Sequence, residues 1–234
     1  MMTTNKIQGV IFDFNGTLLF DTPQHEQAWR EYAHKLCGRE ITEDDFRYHI
    51  HGRTNAEILR YFLGDSLTER EIARHGEEKE AVYRRLCLAM GNRFHLADGA
   101  RELLAALKRG KVPMAVATSS GRSNAQFYIK RFDLWNWFNQ NTFLYNEGEY
   151  DSKPAPDMYL AAAEAIGLDP SECVIFEDMP SGIEAARAAG AGAVVAVASS
   201  ADRAFFASLG VNQVIADFTE VGDLYGLVKS NEDT

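Results

Sequence analysis

The feature that most constrains the fold is a short apolar run at residues 8–14, which carries a single carboxylate, Asp13, and is followed at once by Asn15 and Gly16. A run of this length bounded by turn residues is typical of a buried β-strand. The sequence therefore predicts a strand that stops near Asp13 and turns, which places a charged side chain at the edge of a sheet.

Further apolar runs predict further strands of the same sheet. They lie at residues 112–118, 173–177, 193–198 and 213–216, with a less defined run at 142–145. Segments with helical patterns separate them, notably residues 157–166 and the alanine-rich residues 181–189, which Gly167 and Gly190 can terminate. Strands that alternate with helices form parallel sheets covered on both faces. We therefore expect an α/β core with a Rossmann-like parallel sheet and helices on both faces.

A long segment after the first strand has a different character. Residues 22–94 contain three sets of apolar side chains at helical spacing and no convincing strand. This pattern predicts an all-helical domain inserted into the α/β core. The core then comprises residues 1–21 and 95–234, and the insertion comprises residues 22–94.

Composition limits the partners and the location of the protein. The 234 residues carry 24 basic and 34 acidic side chains, a net charge of -10, which disfavours binding to nucleic acid. The three cysteines show no CxxC spacing, which indicates reduced thiols. No apolar run reaches the ~18 residues that a helix needs to cross a membrane. We expect a cytoplasmic protein with no nucleic-acid or membrane partner, either a monomer or a weak dimer.

Polar side chains follow the carboxyl ends of several predicted strands. They are Asp13, the run Thr118-Ser119-Ser120, Lys153 and the acidic pair Glu177-Asp178. Open α/β sheets bind their ligands at this edge. A carboxylate nucleophile, hydroxyl donors, an ammonium group and an acidic pair suit phosphoryl transfer, whose catalysis consists mostly of positioning and charge neutralisation. Each group alone has a structural explanation as a turn residue, a helix cap or a surface charge, so the prediction depends on the whole set.

These residues also carry a resemblance to a known family. The run Asp13-Phe14-Asn15-Gly16-Thr17 resembles the first motif of the haloacid dehalogenase superfamily, usually Asp-x-Asp-Gly-Thr. Thr118, Lys153 and Glu177-Asp178 follow in the order of its second, third and fourth motifs. The strings at residues 152–157 and 176–183 are similar to the β-phosphoglucomutase-like branch. The resemblance spans nearly the whole chain and implies that the helical insertion is the cap domain of the family.

The resemblance implies a nucleophile and a metal site. Asp13 would attack phosphorus and form an aspartyl-phosphate. The cofactor would be Mg²⁺, held by the Asp13 carboxylate, the main-chain carbonyl of Asn15 and Asp178, with Glu177 as a ligand or an orienting group.

The resemblance also implies a phosphate-binding set. Thr118 and Lys153 would contact the oxygens of the transferring phosphoryl group. The turn at Gly16 and Thr17 would contribute to the same site. Main-chain N–H groups near Ser119 and Ser120, at the start of the next helix, would add donors for an anion.

Asn15 departs from the pattern of the family. Its phosphatases and mutases keep a second Asp at this position, which exchanges a proton with the leaving and attacking oxygens. A carboxamide does not titrate in the useful range, and general acid–base help is worth ~10²–10⁴-fold in rate. Four explanations stay open. The protein is a slow phosphatase or one that prefers good leaving groups, or His25 or Asp21 supplies the proton instead. Alternatively, Asn15 is an engineered change, or the site is of the dehalogenase or phosphonatase type, which the acidic pair disfavours.

The insertion contains candidate substrate contacts. His25 and Trp29 share one helix face, and the resemblance implies that both lie near the mouth of the site; packing within the insertion is the alternative. The segment 51–54 resembles the substrate-contacting cap loop of the branch, in which Arg53 would bind a second phosphate or a sugar hydroxyl; otherwise Arg53 is a surface charge.

The sequence therefore predicts a magnesium-dependent phosphatase that acts on a small phosphorylated metabolite such as a sugar phosphate. The first alternative is a β-phosphoglucomutase-like mutase, which Asn15 disfavours because a mutase depends strongly on proton exchange. The second, from another class, is a phospho-ligand binding protein that has lost turnover.

Overall fold

A computed structural model describes residues 6–51, 53–222 and 224 of the chain. Backbone contacts divide the protein into two compact units. One unit, termed the core, contains the residues up to Phe20 and those from Leu96 onwards; the other, termed the cap, is Asp21–His95.

The core contains one parallel sheet. Its described strands are β1 (Gly9–Phe12), β2 (Met114–Thr118), β3 (Phe143–Tyr145), β4 (Cys173–Glu177), β5 (Ala193–Val197) and β6 (Gln213–Ile215). The strands are arranged in the order β3-β2-β1-β4-β5-β6, and every neighbouring pair is parallel. The prediction of a Rossmann-like α/β core is confirmed.

Nine α-helices occur in the described part of the chain. They are α1 (Thr22–Cys37), α2 (Glu43–Asp45), α3 (Asn55–Leu63), α4 (Glu69–Ala89), α5 (Ala100–Arg109), α6 (Arg122–Phe132), α7 (Asp157–Ala165), α8 (Pro180–Ala188) and α9 (Arg203–Ser208). Short helical turns accompany them: the π-helical Phe46–Ile50 and the 3₁₀ turns Gly91–Arg93, Leu134–Asn136, Pro170–Glu172 and Phe218–Glu220. The first four α-helices belong to the cap and the other five to the core.

The four central strands of the sheet are buried on both faces. Every residue of β1, β2, β4 and β5 is buried, which explains why these segments read as continuous apolar runs rather than alternating ones. On one face, Ile11 and Ile175 pack with Met158 of α7 and Ile183 of α8. The sheet is therefore a middle layer between helices.

The strand order determines where a ligand site forms. The chain runs outward from β1 through β2 to β3, then returns to the other side of β1 with β4. The direction of winding thus reverses between β1 and β4, where Phe12 pairs with Phe176. The carboxyl ends of strands at such a reversal border the usual ligand crevice of an open α/β sheet.

All the regular secondary structure among the described residues of the cap is helical, as expected. Pro23 stands in the first turn of α1, and the N-termini of α3 and α4 are closed by capping boxes, Thr54 with Glu57 and Thr68 with Glu71. Its own apolar cluster includes buried Trp29. No helix among the described residues is long and apolar enough to cross a membrane.

Candidate active site

Asp13 lies at the reversal point of the sheet. Its backbone N–H donates to the carbonyl of Phe176 at 3.0 Å, which continues the β1–β4 ladder by one residue. The residue is only 6% exposed. The strand end therefore fixes the Asp13 backbone next to the end of β4, where the acidic pair Glu177-Asp178 follows.

Lys153 connects Asp13 to the acidic pair. Its Nζ lies 2.7 Å from Asp13 Oδ1 and also pairs with Glu177 Oε1. Burial opposes the charged ammonium, but the negative charges of Asp13 and Glu177 outweigh burial and hold the pKa of Lys153 well above its usual value. Lys153 is thus a permanently charged group held against the side chain of Asp13.

Glu177 is fixed by donors on several sides. The Tyr159 hydroxyl donates to Glu177 Oε1 at 3.0 Å, and the backbone N–H of Met179 donates to Oε2 at 2.7 Å. Burial, followed by the charge of Glu177, raises the pKa of the Tyr159 hydroxyl well above its usual value, so the phenol stays protonated as a donor. A Cβ at position 182 would overlap the Glu177 carboxylate, which explains the glycine there.

Asp178 lies against the turn that follows β1. The Thr17 hydroxyl donates to Asp178 Oδ1 at 3.1 Å. Gly16 has a φ of 79°, a region that favours glycine, and a Cβ there would overlap the Asp178 carboxylate. The Ser199 hydroxyl donates to the carbonyl of Gly16, and the Ser200 hydroxyl donates to that of Asp178. The backbone of the turn after β1, in the first motif, therefore packs directly against the side chain of Asp178, in the fourth motif.

Asp178 is buried next to two other carboxylates, Glu177 and Asp13. Burial first, then the charges of Glu177 and Asp13, raise the pKa of the Asp178 carboxyl well above its usual value. Such a cluster favours a bound cation with oxygen ligands. Within the described ranges, no three His, Cys, Asp or Glu side chains are arranged to hold a metal ion by themselves. A cation here would therefore need main-chain carbonyl, water or ligand oxygens as well.

Thr118 and Ser120 contact Asn15 at the end of β2. Asn15 Oδ1 accepts from the Thr118 hydroxyl at 3.2 Å and from the Ser120 hydroxyl at 2.8 Å. Its Nδ2 donates to the Tyr128 hydroxyl at 2.8 Å. Ser119 is exposed, and its contribution to an anion site remains a prediction.

The structure thus brings the core residues of the predicted site together within one unit. They are Asp13, Asn15, Gly16, Thr17, Thr118, Ser120, Lys153, Glu177 and Asp178. The cap residues belong to the other compact unit. The roles assigned to each group in catalysis remain proposals.

The three candidate cap residues lie in different surroundings. Trp29 is 3% exposed within the apolar cluster of the cap, so packing alone accounts for it. His25 stacks on Tyr83 with ring centroids 3.8 Å apart, and its Nδ1 lies 2.9 Å from Lys79 Nζ. Arg53 is half exposed and pairs with Glu57 at 3.3 Å, while the neighbouring Gly52 lies outside the described residues. Their substrate contacts stay predictions.

Sequence reasoning missed the tyrosines and serines that support the site. Tyr128, Tyr159, Ser199 and Ser200 all bond to motif residues from elements distant in the chain. Buried tyrosines on amphipathic helices read as ordinary core residues, because spacing reveals the buried face and not what the hydroxyl reaches.

Comparison with known proteins decides the family. A family model described as haloacid dehalogenase-like hydrolase matches residues 7–190. This chain belongs to the haloacid dehalogenase-like hydrolases. The resemblance found in the motifs is therefore confirmed.

Individual members of this hydrolase family give more detail. A fructose-1-phosphate phosphatase of Escherichia coli is 32% identical over 190 residues, which cover 80% of this chain and 94% of the relative. A β-phosphoglucomutase of Mycobacterium tuberculosis is 25% identical over 92% of both chains. The crystal structure of a family IA, variant 3 hydrolase from Entamoeba histolytica superimposes with a TM-score of 0.87 at 36% identity, covering 96% of this chain and 100% of that one. The chain is thus an enzyme of the phosphatase type within this hydrolase family.

Proposed function

We propose that this hydrolase is a magnesium-dependent phosphatase that uses Asp13 as its nucleophile. The observation that carries the proposal is the contact of Lys153 with buried Asp13, beside the acidic pair Glu177-Asp178. A buried carboxylate next to a permanent ammonium is suited to attack on an anion, since the ammonium offsets the charge of the incoming phosphate.

The residues divide the work of phosphoryl transfer. A carboxylate oxygen of Asp13 attacks phosphorus, the bond to the leaving oxygen breaks, and an aspartyl-phosphate forms; water then releases phosphate and restores Asp13. Lys153 Nζ stabilises the charge on the transferring group, and the Thr118 hydroxyl donates to its oxygens once its proton turns away from Asn15 Oδ1. Glu177 keeps Lys153 in place through their ion pair.

The donor set fits magnesium. The carboxylates of Asp13 and Asp178 and the carbonyl of Asn15 are hard oxygen ligands, and Mg²⁺ usually combines one or two carboxylates with waters and phosphate oxygens. Burial, followed by the charges of Glu177 and Asp13, raises the pKa of the Asp178 carboxyl, and a divalent cation would offset the negative charge of this cluster. When bound, Mg²⁺ supplies neutralisation of phosphate charge.

Asn15 limits the proton transfer available at the site. Its carboxamide is bonded to three hydroxyl groups and cannot release or take a proton at neutral pH. The leaving oxygen must then depart without help from this residue. We therefore expect slow turnover of ordinary phosphomonoesters and better turnover of substrates with acidic leaving groups, such as acyl or aryl phosphates.

The substrate class follows from family relatives. The related E. coli protein is a fructose-1-phosphate phosphatase, which supports a small sugar phosphate as the substrate here. A mutase remains the runner-up, but Asn15 opposes it because a mutase must exchange protons with both sugar phosphates.

The test is phosphate release from a panel of sugar phosphates, acetyl phosphate and p-nitrophenyl phosphate in Mg²⁺. Turnover that Asp13→Ala abolishes supports the phosphatase. Asn15→Asp should raise the turnover of a sugar phosphate at least about tenfold, because a titratable group returns. An unchanged rate would contradict this account of Asn15. Saturable binding of phosphate esters without turnover would instead support the phospho-ligand binding protein, which the locked carboxamide of Asn15 also favours.

A further inference from the structure

The side chain of Asn15 is held at both of its ends. Two hydroxyls, those of Thr118 and Ser120, donate to Oδ1, and Nδ2 donates to the hydroxyl of Tyr128. All three partners are hydroxyls, which can donate as well as accept, so together they hold the side chain from both ends. The surroundings of position 15 therefore fix where the carboxamide lies.

Tyr128 is fixed by packing of its ring in the buried core. It lies on α6, is fully buried, and its ring stacks on Phe14 with centroids 4.7 Å apart and planes 25° apart. Phe14 stands between Asp13 and Asn15 in the chain. Because the ring is held by the core, its hydroxyl oxygen is an acceptor at a fixed place.

We infer that Tyr128 is a positioning residue of the active site, which holds the Asn15 side chain in place and through it the hydroxyls of Thr118 and Ser120. The Tyr128 hydroxyl lies 2.8 Å from Asn15 Nδ2, and the opposite end of the amide contacts the two hydroxyls at the end of β2. Loss of the Tyr128 hydroxyl therefore removes one of the contacts that keep the amide against these hydroxyls. The functional consequence rests on the proposed function, in which Thr118 contacts the phosphoryl group.

The direct test removes the hydroxyl and keeps the ring. In Tyr128→Phe, the dissociation constant of inorganic phosphate, measured by calorimetry in Mg²⁺, should rise about 3–10-fold, the range for one lost hydrogen bond. The KM of p-nitrophenyl phosphate should rise by a similar factor and kcat should change less. Tyr32→Phe is the matched control, because it removes another buried hydroxyl, bonded to His75 and Glu78 in the cap, and should leave phosphate affinity unchanged.

A double-mutant cycle separates positioning from general loosening of the core. In an Asn15→Ala background there is no amide to orient, so adding Tyr128→Phe should change phosphate affinity by less than about twofold. An equal effect of Tyr128→Phe in both backgrounds, or no effect in the wild type, would overturn the inference. If the protein binds phosphate but turns over no substrate, only the proposed hydrolase function is overturned, because the double-mutant cycle is measured by the calorimetry of phosphate binding. A wild type that binds no phosphate in Mg²⁺ would overturn both.

Discussion

Replacing Lys153 by Met tests the electrostatic organisation of the site. The Lys153 side chain is 13% exposed, and the side chains of its two partners, Asp13 and Glu177, are 8% and 1% exposed. Met keeps most of the length and apolar surface of the side chain but removes the charge. The substitution leaves Asp13, Glu177 and Asp178 as buried carboxylates without the ammonium between them.

The size of the effect follows from the geometry. At 2.7 Å and an effective dielectric constant of about 20, one such pair attracts by about 6 kcal/mol. The loss of lysine desolvation offsets part of this attraction, and removing one partner of a buried pair typically costs about 3–5 kcal/mol. We therefore expect Lys153→Met to lower the free energy of unfolding by about 3–5 kcal/mol, a large share of the total for a domain.

The assay is urea denaturation followed by circular dichroism, with phosphate release measured on the same samples. The control is Arg122→Met, which removes an equal charge from an exposed pair with Glu147 and should shift the urea midpoint much less. A loss below about 1 kcal/mol for Lys153→Met would refute the reasoning, because a pair so buried cannot lose its cation cheaply. Turnover should fall to the level of Asp13→Ala.

Two further predictions concern the turn after β1 and the cap. Gly16→Ala should lower turnover and apparent Mg²⁺ affinity at least about tenfold in kinetic titrations, because the added methyl overlaps Asp178. The control is Gly38→Ala, since Gly38 also has a positive φ but its added Cβ would meet no atom within 4 Å. This control should change neither turnover nor Mg²⁺ affinity. In the cap, the hydrogen bond from Tyr61 lowers the pKa of the Asp45 carboxyl in the folded protein. The ionised carboxylate of Asp45 therefore stabilises the fold above its unfolded pKa of about 3.9, and this stabilisation is lost as pH falls towards the lower folded pKa. The difference in melting temperature between the wild type and Asp45→Asn should therefore shrink as pH falls from about 5; a constant difference would contradict this assignment.

The strands were predictable because burial on both faces leaves a continuous apolar run. The predicted segment 173–177 coincides with β4, and segment 193–198 exceeds β5 by one residue. The sheet edge was harder, since β3 has only three residues and only Phe143 of these is fully buried. Because the central strands were recognised, their charged carboxyl ends could be assigned to one edge of the sheet before the fold was known.

The supporting contacts of the site could not be predicted in the same way. Tyr128 reaches Asn15 across 113 positions of the chain, and Tyr159 reaches Glu177 from α7. Helical spacing identifies both tyrosines as buried but gives no distance between a hydroxyl and a strand end. Likewise, spacing placed Trp29 on the same helix face as His25, while burial in the cap cluster was decided by packing.

The central claim is that Asp13 carries the phosphoryl group. Its most direct test is a rapid acid quench of the enzyme mixed with Mg²⁺ and a phosphate ester labelled at phosphorus, followed by mapping of the labelled peptide. The account predicts transient label on Asp13, released by hydroxylamine as expected for an acyl phosphate, and none in Asp13→Asn. Phosphate release at the wild-type rate by Asp13→Asn, or label on another residue, would contradict it.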